Sequence, residues 1–470
     1  MVDRKLKVSG APMGSGEKAS EMKREMAGFA LRGLAVAAAM ALAWLGFSYQ
    51  YSDAQDLGDA PLALVGARVI DGTGTAPLDE AVLLISQGRI AAIGPSDSIA
   101  IPIGATRIDM AGKTILPGLI NAHGHVTVDD NTDLPLREHM EQRLEIYADY
   151  GVTAVVSLGS NDEPDELEGI RIGNEQRQGI PGRARLYTGG QNARGESEIE
   201  ARESVARLAA LGVDIIKYHI NGRPNDMTPP VYGALVDEAK KHGLPTAVHI
   251  FNLNDAKGAI EKGTDIIAHS VRDQDVDAEL TAEMTRLDIG YIPTLTRDLS
   301  VFVYENEPAF FEDPFFLRGL DVYGTEMALL KDPAQQEATR VDPRAQEIKL
   351  ALDQAMRNLK LLSDAGVTIA MGSDSGSAND WGRWQGYFEH VEIEMMVEAG
   401  LTPMQALVAA TGNAARIMNL DELGTLQEGK WADLLVLNAD PLVDIRNTRE
   451  IDSVWIAGNR IESNRLVSSR

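Results

Sequence analysis

Residues 115–126 read ILPGLINAHGHV. An apolar run stops at Pro117-Gly118, resumes as Leu119-Ile120, and then delivers two histidines one residue apart. On a strand, residues i and i+2 project to the same side, so His123 and His125 can aim two imidazoles at one point from a strand end. Imidazole nitrogen binds zinc and similar divalent ions at about 2.0–2.1 Å. Taken alone, His-x-His reads equally well as two polar residues in a surface turn. The rest of the chain decides between the two.

From about 113 to 423, short apolar runs alternate with helical patterns. Strands are expected at 114–120, 154–158, 184–188, 214–218, 246–249, 266–269, 291–294 and 368–372, and helices at 198–211, 230–242, 253–262, 278–287 and 346–365. Strand and helix alternating eight times predict an α/β fold, a (β/α)8 TIM-like barrel. On either side of it, 62–112 and 424–470 read as short strands cut by Gly, Asp and Pro. Neither end can bury much core alone, so the two are expected to fold together as one small β-sandwich with the barrel inserted. Residues 296–345 are too long for an ordinary barrel loop and hold Phe302, Tyr304, Phe310, Phe311, Phe315, Phe316 and Tyr323. They are expected to rise over the barrel mouth as a lid or pocket wall, with a packing excursion or a dimer contact in a homo-oligomer as the alternative.

The first 60 residues differ in kind. Residues 1–26 are polar and basic, and 27–49 are almost wholly apolar, with Arg32 near the start. That length suits a membrane-anchor helix, and the leading positive charge predicts a cytoplasmic N-terminus with the body outside, periplasmic or extracellular. A cleaved signal with its site at 52–54 is the alternative. Residues 50–61 form a linker. The formal net charge of -26 argues against a nucleic-acid partner. With no cysteine in the chain, disulfides and thiolate metal sites are excluded.

Barrel active sites lie at the C-terminal strand ends. Standing there are His123 and His125 after the first strand, Lys217 at the fourth, His249 at the fifth, His269 at the sixth and Asp374 after the eighth. His219, two residues beyond Lys217, shares its side and is a candidate contact for a substrate carbonyl. Arg223 can grip a substrate carboxylate, and reads equally as a surface arginine. His139, His242 and His390 are not assigned to a metal.

Together with KTILPGLINAHGH, VDIIKY, TAVHIF, DIIAHS, AMGSDS, AATGNAARIM and EGKWADLLVL, this order resembles the amidohydrolase superfamily, in particular the group that includes imidazolonepropionase-like enzymes and metal-dependent prolidases. The resemblance covers about 61–466. It implies two divalent metal ions, with zinc expected: His123, His125 and Asp374 on the first, His249 and His269 on the second, and Lys217 bridging both as a carbamate. It further implies a hydrolase of C–N bonds, peptide or amide, in which Asp374 moves the proton of a water activated between the ions. The substrate is expected to be a small peptide or N-acyl amino acid. The loop after Lys217 lacks the Gly-Gly common in these relatives, so substrate identity does not carry over. A mononuclear cyclic-amide hydrolase or deaminase is the alternative; Lys217, and Ile250-Phe251-Asn252 with no Glu after His249, argue against it. A non-catalytic binding barrel does not need all six side chains. Oligomeric state stays open.

Overall fold

The computed structural model describes residues 60–127, 134–176, 182–223, 225–377, 380–463 and 465, all within the unit Ala60–Arg470. The segments expected as a basic leader and as a membrane anchor or signal lie outside the described residues. Among the described residues, no helix is long and apolar enough to cross a membrane.

The N-terminal side supplies β1 (Leu62–Val69), β2 (Leu78–Ser86), β3 (Arg89–Pro95), β4 (Thr106–Asp109) and β5 (Thr114–Pro117). The barrel follows with β6 (Leu119–Gly124), β7 (Val152–Ser157), β8 (Arg185–Thr188), β9 (Ile216–His219), β10 (Thr246–His249), β11 (Ile266–Ala268), β12 (Gly290–Ile292) and β13 (Thr368–Ile369). The chain then returns as β14 (Leu434–Leu437), β15 (Ile451–Ile456) and β16 (Asn459–Arg460).

The two ends fold together, their strands joined in one eight-stranded sheet that bends back on itself, with Ile90 N donating to Lys430 O and Ala432 N to Gly88 O, both at 2.9 Å. Its order is β16-β15-β14-β5-β1-β2-β3, with β4 also on β1. The reason is β5, which pairs parallel to β1 and antiparallel to β14, so hydrogen bonds join the two ends edge to edge. Side chains alternate across the sheet: Leu64, Leu83 and Ile85 enter one buried cluster, and Ala63, Val82 and Leu84 another.

Residues 114–120 are therefore not a single barrel strand. Pro117 ends β5 in the small sheet and the barrel starts at Leu119. Gly118 between them donates its N–H to Asp433 O at 2.9 Å. A Cβ there would lie 2.1 Å from Thr153 Oγ1, so only glycine lets the two sheets part so closely.

All barrel pairings are parallel: β6-β7-β8 and β9 through β13. Single backbone bonds close the two seams. Asp214 N donates to Thr188 O (2.8 Å) and Ala193 N to Lys217 O (2.8 Å) at one; Ala122 N donates to Met371 O (3.0 Å) and Asp374 N to His123 O (2.6 Å) at the other. The alternation of β-structure sorts the core. Ala154, Val156, Ile215, Ala247, Ile266, Ala268, Ile292 and Ala370 fill the barrel interior, while Val155, Ile216, Tyr218, Val248, Ile267 and Tyr291 pack outward with the helices. The interior side chains are small, which leaves room for larger groups at the rim.

The helix at Glu198–Leu211 matches its sequence pattern; Ser197 caps its start by accepting from Glu200 N, and Gly212 at φ 84° ends it. Residues 296–345 are mainly helical, with Leu295–Phe302, Pro314–Leu317, Leu320–Leu330 and Pro333–Val341 leading into Pro343–Asp364. Much of their aromatic content is packing: Tyr304, Phe311, Phe316 and Tyr323 gather round Trp384 with ring centroids 5.1–6.5 Å away.

Candidate active site

Register sets the rim. Ala247 lies opposite Lys217, and His249 opposite His219. Lys217 is two residues beyond Ile215, and His249 two beyond Ala247, so both follow interior residues inward. Tyr218 points the other way and meets Thr264 and Tyr232. His219 and His249, side by side, stack at 4.6 Å and 14°.

His123 and His269 break that parity, since Ala122 and Ala268 are themselves interior. Each has a local cause. The β6-β7 register shifts between Asn121 and Gly124, and an irregularity of this kind re-aims side chains. His269 takes φ 74° and Asp374 φ 57°, a left-handed backbone that L-residues adopt only where surroundings enforce it.

The expected ligands meet. Lys217 Nζ is 3.4 Å from His123 Nε2. Asp374 Oδ1 is 3.2 Å from His123 Nε2 and 2.8 Å from His125 Nε2. The His269 ring is 4.6 Å from that of His123 and 4.3 Å from that of His249. Among the described residues, His123, His269 and Asp374 form a buried group whose ligand atoms lie within 4.8 Å of one another, as a metal ion requires.

The donor set fits a cation. His125 Nδ1 faces the carbonyl of Gly159 at 3.4 Å, which can only accept. With the proton there, Nε2 presents a lone pair to Asp374 Oδ1, and two acceptors at that distance call for positive charge between them. His269 Nδ1 bonds Thr294 Oγ1 at 2.7 Å, an arrangement that fixes a ring for ligation through the other nitrogen. Two ligands bound tetrahedrally at about 2.0–2.1 Å sit roughly 3.3 Å apart, close to the His123–Asp374 separation.

Burial keeps the imidazoles neutral: His123 and His219 are each lowered to about 3, with Lys217 adding to the effect, and His249 and His269 fall well below their usual range. Burial also pushes the Lys217 ammonium down to about 7. For Asp374 burial works upward, but the Arg383 guanidinium and the His123 and His125 imidazoles outweigh it and hold the carboxyl well below the carboxylate range.

The remaining histidines serve elsewhere. His390 bonds Thr448 and the Tyr150 carbonyl, His139 accepts from Arg143, and His242 is exposed beside Glu238. Arg223 is also exposed; its backbone N–H donates to Asp226.

Three groups at the site carry no sequence signal that singled them out. Arg383 Nη1 donates to Asp374 Oδ2 at 2.8 Å, and Arg297 Nε lies 3.9 Å from the same oxygen. Glu389 is fully buried beneath the rim, where it accepts from Ser373 Oγ (2.5 Å), Ser375 Oγ (2.7 Å) and Asn121 Nδ2 (2.6 Å). Asn121 Oδ1 in turn accepts from His123 N at 3.0 Å. Glu389 thus ties the backbone of His123 to the two serines flanking Asp374. Its place on the helix Tyr387–Glu398 was readable, but not its partners.

A closed parallel barrel with imidazoles, a buried lysine and an aspartate at its C-terminal rim defines a class of hydrolytic barrel enzymes. The chain belongs to the amidohydrolase family, whose model matches residues 114–461, and it is a hydrolase acting on carbon–nitrogen bonds. The crystal structure of a putative prolidase from Bifidobacterium longum is 26% identical with a TM-score of 0.67, covering 86% of this chain and 95% of that one. An imidazolonepropionase of Cutibacterium acnes is 23% identical over 363 residues, 76% of this chain and 84% of its own. A 5-methylthioadenosine/S-adenosylhomocysteine deaminase of Moorella thermoacetica is 24% identical over 435 residues, 84% of this chain and 87% of its own.

Proposed function

We propose that the protein is a two-metal amidohydrolase that cleaves an amide or peptide bond in a small N-acyl amino acid or short peptide. The observation that carries the reading is the approach of Lys217 to His123, with His123 and His125 on Asp374, at one barrel mouth. His123, His125 and Asp374 hold the first ion, His249 and His269 the second, and Lys217 spans both as a carbamate. The low Lys217 pKa favours that modification: a neutral amine adds to carbon dioxide, forming an N–C bond and releasing one proton. When bound, the ions polarise the scissile carbonyl and make a water acidic enough to attack near neutral pH.

The chain's own groups do the rest. Asp374 takes the proton from the attacking water and passes it to the leaving nitrogen, so that the amine departs neutral. Neutral His219, stacked on His249 at the rim, offers an N–H to the carbonyl oxygen as charge gathers on it. Arg383 and Arg297 orient Asp374 through its outer oxygen.

The relatives pull in two directions, towards dipeptide cleavage and towards ring opening or deamination. Lys217 favours the first, since it supplies the bridge that a two-ion site needs. The deciding experiment is metal analysis of the full chain together with a turnover screen of the zinc-loaded protein on dipeptides, N-acyl amino acids and cyclic amides. Two ions per chain and release of an amine are expected. One ion per chain with turnover confined to a ring lactam would replace this reading by the mononuclear one. Attachment through 27–49, with the body outside the cytoplasm, is part of the proposal; sedimentation with membranes and digestion by externally added protease test it.

A further inference from the structure

A cavity of about 380 Å³ is walled by the helix Leu295–Phe302, the insertion that follows it and the segment after β13, and two of its lining residues, Arg297 and Arg383, also reach Asp374. Three arginines line it: Arg297, Arg344 and Arg383. Arg297 shares its charge with Asp298 through Nη1 at 2.7 Å. Arg383 is engaged by Asp374 and, at 3.1 Å, by Asp380, the acidic side chain of the cavity wall. Arg344, an exposed residue, makes no ion pair and no side-chain hydrogen bond among the described residues; its backbone N–H donates to Asp342 Oδ1 at 3.0 Å. Tyr304 and Trp381 supply apolar wall. The volume lies within the range of small-molecule sites, about 300–1,000 Å³.

We propose that this cavity is the subsite for a carboxylate carried on the amine side of the scissile bond, with Arg344 as its principal ligand and Arg297 and Arg383 beside it. The inference rests on the proposed function in one respect: Asp374 is the group that protonates the leaving nitrogen. Arg297 and Arg383 already reach the outer oxygen of Asp374, so an anion that they and Arg344 hold is one side chain removed from the group that serves that nitrogen. A guanidinium presents two parallel N–H groups to a carboxylate. The leaving group so described is an amino acid with its carboxylate free. Neutral amides and ureas leave Arg344 without a partner. The carboxylate-gripping role expected of Arg223 passes to residues that the sequence did not connect with it.

The test uses a probe with no scissile bond. Glutarate and butyrate are titrated calorimetrically into the zinc-loaded full chain and into its R344M variant, with metal content measured in both. One charge-assisted contact corresponds to roughly ten- to hundredfold in affinity. Wild type is expected to prefer glutarate over butyrate by at least about tenfold, and R344M to lose that preference with its metal content unchanged. Equal binding of the two acids by wild type, or a preference kept by R344M, overturns the subsite. A second measurement compares turnover of N-acyl amino acids with that of their carboxamides. Preference for the free acid that collapses in R344M supports the proposal, and equal turnover refutes it. Failure to hydrolyse either set, with the glutarate preference intact, removes the proposed function and leaves the anion subsite standing.

Discussion

The two halves of the rim are built from different materials. On one side, His123 and His125 converge on Asp374, whose negative charge Arg383 and Arg297 hold in place. On the other, His219, His249 and His269 lie ring against ring at 4.3–4.6 Å, and Lys217 is a cation whose charge acts on all three. The first half brings its own anion. The second has only neutral imidazoles, and an ion held by them alone would have no charge to balance it. Modification of Lys217 would mend that asymmetry, since it replaces an amine by a carbamate, one negative charge shared by two oxygens.

The sharpest way to break this contrast is to neutralise the first half. Asp374→Asn is expected to lower kcat by roughly 10²–10⁴-fold, the range for a lost proton-transfer group, and steady-state kinetics at saturating substrate would show it. The second half should fail differently. Lys217→Ala is expected to bind one ion instead of two, and added short carboxylic acids to restore part of the second ion and of the rate by standing in for the missing oxygens. Elemental analysis with and without propionate separates this from simple misfolding; an alanine variant that keeps both ions would refute the bridging role.

Glu389 lies under the first half alone, and its loss sharpens the comparison. In Glu389→Leu, Ser373, Ser375 and Asn121 lose a shared buried acceptor, at a cost of about 1–3 kcal/mol per orphaned group. Ions should then be lost from the Asp374 side first. Glu389→Gln, which keeps one acceptor, should recover most of the metal content.

The lysine also leaves a mark on the pH dependence of the metal-free protein. Folding lowers its pKa from 10.5 to about 7, so between those values the unfolded chain binds more protons than the folded one. Stability therefore rises with pH across that window. Chemical denaturation in carbonate-free buffer from pH 7 to 10 is expected to show a steeper rise for wild type than for Lys217→Met. The smallest effect should fall outside both halves. Gly118→Ala places a methyl against Thr153, an overpacking cost of about 1–3 kcal/mol visible in the denaturation midpoint while metal content stays at the wild-type level.

Much of this was legible in the chain. Short apolar runs beside amphipathic helices announced eight parallel strands because each strand must be apolar on both faces, and the alternation within them carried Lys217 and His249 inward. The missed boundary at Gly118 has a physical cause: Leu116 and Leu119 are both buried, so hydropathy runs on across a point where the hydrogen-bonding partner changes. The aromatic residues of 296–345 announced burial correctly but not its purpose, since packing and substrate contact use the same side chains. Arg297, Arg344 and Arg383 were opaque for another reason. Arg297 and Arg344 stand in the first turns of two separate helices and Arg383 on a loop, and only the folded path brings them to one cavity.

The seam between β6 and β13 has a consequence in time. Asp374 N donates to His123 O there, and His125 N to Ser375 O at 2.8 Å, so the amides that close the cylinder belong to the ligands themselves or their immediate neighbours. A ribosome-bound chain that has emerged only as far as β12 owns all the histidines of the site and no aspartate to organise them. The ligand set proposed for the first ion is therefore complete only when the last strand has been made.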